Sequence, residues 1–283
     1  MKTGLFVGIS CLDFTYEQDI LPVENMKSQA NNLRVCLGGP ATNAAITYSL
    51  LGGNAILACC IGNSEFGLDI KSRLKKHGIK VIDFMESSDI LPSIASISIN
   101  SKTGTRTIWS AQIKIEAGIN IDVIEEYLKQ ADFCLFDCNQ PEISVPILKK
   151  AYMLNKEIVL DCGSWKPHSP EFLEKASVAI ASANCIPPKE EGNFFDVAKS
   201  FGIKDVAVTN GENPINWKTE SESGEILPRS VKAIDTLGAG DVFHGAYCYF
   251  AFNKNQNFED ALKNACNVAT KSVEYCGVSS EML

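Results

Sequence analysis

Two glycines and an aspartate near the C-terminus have the spacing to do chemistry on a phosphoryl group. They lie in Asp235-Thr236-Leu237-Gly238-Ala239-Gly240-Asp241, which leads into an apolar run of helical character. The glycines permit a sharp turn that exposes consecutive backbone N–H groups, and a helix N-terminus adds partial positive charge. Such a site binds anions, and a carboxylate beside it can accept a hydroxyl proton. The segment therefore predicts phosphorylation of an alcohol. Taken alone, the pattern is also typical of an ordinary helix start with Asp241 as a first-turn acid.

A second glycine motif, Gly38-Gly39-Pro40-Ala41-Thr42-Asn43, opens the first predicted helix. Paired glycines let a ligand approach the backbone closely, and the Asn43 amide offers both a donor and an acceptor. Asp13 follows the first predicted strand by a few residues. Ligands of open α/β sheets bind at the carboxyl ends of the strands. A carboxylate there is suited to neighbouring hydroxyls such as those of a sugar.

The composition of the 283 residues is that of an ordinary globular protein, with 45% hydrophobic and 21% charged residues. The net charge is −8 and no basic stripe is present, so nucleic acid is not an expected partner. The N-terminus predicts a first strand and not a signal peptide, and no apolar run reaches the ~20 residues that span a bilayer. We expect a cytoplasmic protein without a membrane partner.

The eleven cysteines are odd in number and form no Cys-x-x-Cys pair. Most lie in apolar runs, which predicts small buried side chains in a reducing compartment. With three histidines in the chain and no tight ligand spacing, a zinc–thiolate site is not expected.

Strand-like and helix-like runs alternate along the chain. The predicted strands cover residues 5–9, 55–61, 81–85, 133–137, 157–161, 177–181 and 205–209, and the predicted helices cover 41–51, 67–77, 121–130, 143–154, 194–201 and 243–252. Strands separated by helices imply crossover connections and a mostly parallel central sheet covered on both faces. The predicted fold class is a three-layer α/β/α sandwich.

Two segments interrupt this alternation. Residues 14–37 contain no strong helix, and residues 93–99 and 106–111 predict a β-hairpin with a turn at Thr103-Gly104. Strands outside a parallel layer suggest a small second sheet, either a lid or a dimer surface. We expect one domain over residues 1–283, with a β-lid formed by inserted segments at about 14–37 and 92–113.

Together the two glycine motifs resemble the two signature motifs of the ribokinase-like (pfkB-type) carbohydrate kinases, in order and in spacing. The resemblance covers essentially the whole chain. Within that family the chain looks most like ketohexokinases and bacterial ketose-type kinases, and Gly104-Thr105-Arg106-Thr107-Ile108 and the late run 266–271 resemble ketohexokinase segments. The run Asp241-Val242-Phe243-His244-Gly245-Ala246 looks like that of sulfofructose and related sugar kinases. The resemblance implies ATP-dependent phosphorylation of a primary hydroxyl on a small sugar, a ketose first, with Mg²⁺. It also implies a homodimer formed through the lid.

The resemblance implies a role for each matching residue. Asp241 would be the base, and Gly238, Ala239 and Gly240 the anion hole. The sugar would contact Asp13, Gly38, Gly39, Asn43 and Arg106, and the nucleotide would contact Lys166, Asn184, Thr209, Gly211, Ala265, Cys266 and Ala269. Some of these positions have simpler interpretations. Arg106 and Lys166 also fit exposed surface residues, Thr209 and Gly211 fit a strand-to-turn ending, and the residues from 265 to 269 fit helix packing.

The chain departs from the family pattern at two points. Many members carry Asn-x-x-Glu, but Asn184 is followed three residues later by Pro187, and Glu190 and Glu191 are out of register. The residue that supports magnesium therefore stays open. The lysine that follows Gly-Gly in ribokinase is replaced by Pro40, which argues mildly against ribose. A nucleoside kinase of the same fold, a vitamin kinase of the wider superfamily, and a catalytically weak sugar-binding or sensing protein are the alternatives.

Overall fold

The computed structural model describes residues 1–103, 105–115, 119–188 and 192–278. Their strands form a nine-stranded sheet and a four-stranded sheet. The nine strands of the large sheet are, in spatial order, β13 (Ser223–Ile226), β12 (Asn213–Lys218), β11 (Asp205–Asn210), β10 (Val178–Ser182), β9 (Glu157–Cys162), β8 (Phe133–Phe136), β1 (Thr3–Val7), β4 (Asn54–Cys59) and β5 (Lys80–Asp83). The seven strands from β11 to β5 are parallel, and β12 and β13 extend the sheet antiparallel.

Alternate residues of each central strand enter two different hydrophobic cores. In β1, Phe6 packs into one core, whereas Leu5 and Val7 pack into the other. Successive side chains of a strand point to opposite faces, so both faces of the sheet are covered. This confirms the predicted three-layer α/β/α class.

Eight α-helices of the described residues cover the two faces. They are α1 (Pro40–Leu50), α2 (Glu65–Lys76), α3 (Ile124–Gln130), α4 (Pro141–Met153), α5 (Ser169–Leu173), α6 (Phe194–Ser200), α7 (Ala239–Cys248) and α8 (Phe258–Ser272). Helices α1, α2, α7 and α8 supply one core, and α3 to α6 supply the other. A π-helical turn, Tyr249–Asn253, continues α7. The contact between α1 and α7 is the one that assembles the candidate site.

The smaller sheet has the strand order β3-β2-β6-β7, with β2 (Cys11–Gln18), β3 (Asn32–Gly38), β6 (Ser93–Asn100) and β7 (Arg106–Ala111). β6 and β7 form the predicted antiparallel hairpin, although Gly104 of its turn lies outside the described residues. Asp13 and Glu17 lie on one face of β2, and Arg106 lies on that face too because it pairs with Ile99, the partner of Glu17. We call this surface the inner face of the lid.

All seven predicted strands and all six predicted helices overlap observed elements, with ends displaced by up to four residues. The segment 14–37 contains β3 and most of β2. β12 and β13 were not predicted, because in Asn213–Lys218 only Ile215 and Trp217 point inward and Pro214 breaks the pattern. Among the described residues no helix is both long and apolar enough to cross a membrane.

Candidate active site

Close backbone packing places the first glycine motif against Asp13. Gly39 precedes α1 with φ 101°, in the region that favours glycine, and a Cβ there would lie 2.3 Å from the carbonyl oxygen of Ile9. A Cβ on Gly38 would lie 2.3 Å from the Asp13 carboxylate. Pro40 is compatible with the first turn of α1, where its missing N–H costs no hydrogen bond. The motif thus brings Asp13 to the N-terminus of α1.

The two glycine motifs meet where α1 crosses α7. Nδ2 of Asn43 donates a hydrogen bond of 2.8 Å to Oδ2 of Asp241, which is 198 positions away in the sequence. Gly238 caps α7 with φ 78°, and a Cβ there would lie 3.2 Å from the same Asn43 nitrogen. The helices approach closely because Gly245 faces the backbone of Ala44. The structure therefore brings Asp13, Gly38, Gly39, Asn43, Gly238 and Asp241 together.

The electrostatics of Asp241 suit a proton acceptor near neutral pH. Burial, followed by the charge of Asp161, raises the pKa of Asp241 to about 7. The hydrogen bond from Asn43 and the charge of His244 act in the opposite direction. A general base works best when its pKa lies near the operating pH. Asp241 is therefore able both to take and to return a proton.

The start of α7 offers free backbone donors beside this carboxylate. The first N–H of the helix ladder is that of Val242, which donates to the carbonyl of Gly238 at 2.9 Å. Among the described residues, no acceptor lies within hydrogen-bond distance of the N–H groups of Gly240 and Asp241. The Leu237 N–H donates to Oδ1 of Asp235 at 3.0 Å, which fixes the preceding turn. Together with Ala239, these residues form the start of a helix, where free N–H groups and the helix dipole are able to bind an anion.

The inner face of the lid reaches the same turn. Nη1 of Arg106 donates to Oγ1 of Thr236 at 3.4 Å, and Nη2 of Arg34 lies 3.5 Å from Oδ2 of Asp235. Arg106 is exposed, whereas Asp13 on the same face is buried. The small sheet thus carries a cationic side chain to the turn that precedes α7.

Two polar groups near Asp241 are available to a ligand. Burial raises the pKa of Asp13, although the hydrogen bond from Cys11 Sγ at 3.2 Å opposes this shift. Oδ1 of Asn43 is buried and has no hydrogen-bond partner among the described residues. A buried acceptor without a donor is costly, so a ligand hydroxyl there would restore a hydrogen bond.

The residues predicted for the nucleotide lie at the ends of three neighbouring strands. Thr209, near the end of β11, donates its hydroxyl to the Ala181 carbonyl at 3.3 Å. Gly211 forms the exposed turn after β11 with φ 59°, and exposed Asn184 follows β10. Lys166 follows β9, and its ammonium group donates to the Ser164 carbonyl at 3.4 Å, so it lies against its own loop. These residues line the carboxyl edge of the sheet on one side of Asp241.

The three α8 residues predicted for the adenine pocket have different surroundings. Ala265 and Cys266 are buried in the core shared with α1 and α7. Ala269 is half-buried at the edge of that core. Their contacts within the chain are those of helix packing, and only Ala269 presents surface to a ligand.

Three site residues were not predicted from the sequence: Asp137, Asp161 and His244. Asp137 follows β8, and its carboxylate accepts hydrogen bonds from the N–H groups of Ile9 at 2.9 Å, Asn139 at 2.9 Å and Ala41 at 3.2 Å. Burial raises the pKa of Asp137 to about 6. Asp161 is buried near the end of β9 and lies 3.5 Å from His244. Asp13 was selected because it is a polar residue at the carboxyl end of a strand. The same rule would have found Asp137 and Asp161.

The loop between β8 and α4 is strained. Cys138 and Gln140 have φ values of 55° and 49°, in the left-handed region that non-glycine residues rarely adopt. Gln140 is 6% exposed, and neither polar atom of its side chain has a hydrogen-bond partner among the described residues. Strain and an unpaired buried amide at the carboxyl edge of the sheet are typical of a functional loop.

A magnesium ion has no ready-made ligand set here. The described residues contain no group of three His, Cys, Asp or Glu side chains that could hold a metal. Glu190 and Glu191 lie outside the described residues. Mg²⁺ in kinases is bound mainly by phosphates and water with one or two carboxylates, so the ion would arrive with the nucleotide.

A cavity of about 230 Å³ lies next to the site, between β3, α1, α2 and residues 276–278. Asn43 lines this cavity, but Asp13 and Asp241 do not.

A carboxylate beside the free N–H groups of a helix N-terminus, on an α/β/α sandwich with a small second sheet, suits phosphoryl transfer to an alcohol acceptor. The family model of the pfkB family carbohydrate kinases matches residues 1–283. The chain belongs to this family and is a carbohydrate kinase.

Known proteins similar to the chain include ribokinases. Mouse (Mus musculus) ribokinase is 26% identical over 296 residues, covering 97% of this chain and 90% of the relative. Ribokinase of Bacillus subtilis is 23% identical and covers 100% and 96%. The solved structure of ribokinase from Giardia lamblia has a TM-score of 0.85 at 17% identity, with coverage of 100% and 97%. This last likeness shows the fold.

Proposed function

We propose that the protein transfers the γ-phosphoryl group of ATP to a primary hydroxyl of a small sugar, a ketose, with Asp241 as the base. The hydrogen bond of 2.8 Å between Asn43 and Asp241 is the observation that carries this proposal. It holds the carboxylate beside the free amides at the start of α7. A hydroxyl placed at Asp241 then lies next to the position where phosphoryl charge would be neutralised.

The reaction needs little covalent chemistry from the protein, because phosphoryl transfer depends on positioning and charge stabilisation. Asp241 takes the proton of the sugar hydroxyl as its oxygen forms the bond to the γ-phosphorus. The bond to the β-phosphate oxygen breaks, and ADP leaves. The amides of Gly238, Ala239 and Gly240 neutralise charge on the transferring group. Closure of the lid excludes water, which would otherwise compete as acceptor.

The sugar lies between Asp13 and Asn43 in this proposal. The Asp13 carboxylate accepts hydrogen bonds from two hydroxyls, and Oδ1 of Asn43 obtains the donor it lacks. Arg106 reaches from the lid towards the phosphate side. Pro40, which stands where ribokinase carries a lysine, argues mildly against ribose. The relatives named ribokinase make ribose the competing acceptor.

The nucleotide lies along the ends of β9, β10 and β11, beside Lys166, Asn184, Thr209 and Gly211. Neighbouring strands are ~4.8 Å apart, so these three strands span about 10 Å, a length suited to a triphosphate and its ribose. Ala269, which presents surface at the edge of α8, contacts the adenine. Ala265 and Cys266 support it from the core. Mg²⁺ bound to ATP supplies positive charge, and we derive no step through it.

A coupled ADP-release assay with MgATP tests this proposal. The panel contains fructose and other ketoses, ribose, aldohexoses, adenosine and inosine. We expect sugar-dependent ADP release that falls by about 100-fold or more in Asp241→Asn, with ATP binding retained. Turnover of this variant close to the wild-type rate would remove Asp241 from its role. A signal with adenosine alone would favour a nucleoside kinase. ATP and sugar binding without turnover would favour a sensor.

The lid also supports a homodimer. All residues of the edge strand β7 are exposed, including Ile108 at 45% and Trp109 at 59%. An exposed apolar edge strand is a pairing surface unless it is covered. A second copy of the chain covers β7 in this proposal. Light scattering at micromolar concentration tests it, and a monomer in the wild-type protein would contradict it; Trp109→Lys is expected to dissociate the dimer.

A further inference from the structure

His244 is buried directly beneath the start of α7, three residues after Asp241. Its side chain is 3% exposed. Residues three and four apart share a face of a helix, so His244 lies under both Asp241 and Gly240. A buried histidine costs free energy unless both ring nitrogens are satisfied, and here the partners of both are defined.

Both ring nitrogens of His244 face acceptors. Nδ1 lies 2.7 Å from the carbonyl oxygen of Gly240 and 3.5 Å from Oδ2 of Asp161. Nε2 lies 3.3 Å from the carbonyl oxygen of Ile180 in β10. A neutral imidazole has one N–H, whereas an imidazolium has two. Only the charged form donates to every one of these oxygens.

An imidazolium at this position lies among buried carboxylates. The groups that face Asp241 are Asp161 from β9, Asp137 from the end of β8, Cys11 from β2 and His244 from α7. Asp161 and Asp137 favour the protonated form of Asp241, and the positive charge of His244 favours its ionised form. Loss of that charge would therefore raise the pKa of Asp241 further.

We propose that His244 is a positioning residue for the transfer reaction: as an imidazolium it holds the Gly240 carbonyl and pairs with Asp161, and so keeps Asp241 ionised and aligned with the anion hole. It acts through Asp241 and the Gly240 peptide and does not contact the substrate. The proposal deepens the kinase function and rests on Asp241 being the base.

The first measurement is independent of any sugar. Nitrogen-15 NMR of the ring nitrogens is practicable because the chain has three histidines, and His244→Asn and His77→Asn assign two of them. We expect both nitrogens of His244 to be protonated at pH 7. A neutral ring at that pH overturns the proposal, whether or not a sugar substrate has been found.

The second measurement is the pH dependence of kcat/KM with MgATP and fructose, or with ribose if fructose is not turned over. His244→Asn keeps a donor towards Gly240 but removes the charge. We expect the acid limb of the His244→Asn profile to lie about one pH unit higher than that of the wild type. The value of kcat/KM on the high-pH plateau should stay within about threefold of the wild type. Asp161→Asn is expected to move the acid limb to lower pH, because the charge of Asp161 raises the pKa of Asp241. His77→Asn is the control and keeps the wild-type limb, because burial and no carboxylate shifts the pKa of His77.

A purely structural His244 would give a different result. The rate of His244→Asn would then fall equally at every pH, with the acid limb unmoved, and that outcome overturns the proposal. His244→Gln replaces the asparagine variant if circular dichroism shows that the latter is unfolded. Absence of turnover with every sugar would refute the kinase proposal, while the NMR result would still decide the charge of His244.

Discussion

Substitution of Gly245 by alanine tests whether the close contact of α1 and α7 aligns the site. A Cβ at Gly245 would lie 2.3 Å from the carbonyl oxygen of Ala44 and 2.8 Å from Cβ of Thr47. Ordinary carbon–oxygen contacts are about 1 Å longer, so the helices must separate or slide by roughly that distance. The obstacle is backbone, which no side-chain rotation relieves.

The expected cost has two parts. Overpacking costs typically 1–3 kcal/mol, and replacing glycine by alanine within a helix returns about 1 kcal/mol. Because the obstacle is backbone, we expect the upper end of the overpacking range and a net loss of about 2 kcal/mol, which lowers Tm by roughly 4–8 °C in a chain of this size. A shift of about 1 Å also stretches the 2.8 Å bond from Asn43 to Asp241 past hydrogen-bonding distance, so kcat falls by about 10- to 100-fold.

Calorimetry and the coupled ADP assay measure the two effects on the same protein. Gly163→Ala is the matched control for stability, because the nearest atom to its added Cβ is 3.7 Å away. Its Tm is expected to stay within about 2 °C of the wild type. The reasoning is refuted if Gly245→Ala retains both the Tm and the kcat of the wild type.

Three further variants probe the surrounding residues. Burial raises the pKa of Asp137 to about 6, so the protonated carboxyl stabilises the fold below pH 4. On the order of 3 kcal/mol of the free energy of unfolding is lost as the pH rises to 6. Urea unfolding at pH 4 and at pH 7 should show a smaller loss in Asp137→Asn than in the wild type. Arg106→Ala is expected to raise KM for the sugar about tenfold. The free energy of unfolding should change by less than about 0.5 kcal/mol, because the arginine is exposed. An unchanged KM would argue against a role of Arg106 in sugar binding. Gln140→Met removes a buried unpaired amide, so thermal unfolding should show about 1–2 kcal/mol of added stability. A loss of stability in this variant would mean that the amide has a hydrogen-bond partner.

The central layers of the fold could be predicted from the sequence because their physics is local. A strand such as β1 is covered on both faces and reads as a continuous apolar run, and helices such as α2 end at a glycine. β12 could not be predicted, since it buries residues on one face alone and carries a proline. Its place depends on pairing with β11, a contact that its own residues do not specify.

The candidate site was predictable where backbone geometry demands a residue type. Gly39 and Gly238 have positive φ and tight neighbours, so glycine at each position carries information. The residue type at Cys266 carries no such information, because a small residue fits a helix contact and a ligand pocket equally well. His244 was missed for a related reason: its function depends on Asp161, which lies on another element and is brought near only by the fold.

Asp137 and Asp241 both have raised pKa values, but the reasons for a carboxylate at the two positions differ. Asp137 accepts three backbone N–H groups, so its structural role accounts for the cost of its burial. For Asp241, the one hydrogen bond to a described residue is that from Asn43. A fold that needed only packing would gain stability from a neutral or apolar residue there, because the raised pKa means that ionisation of Asp241 costs stability at neutral pH. The proposed role of Asp241 as acceptor of a hydroxyl proton explains that cost, and packing does not.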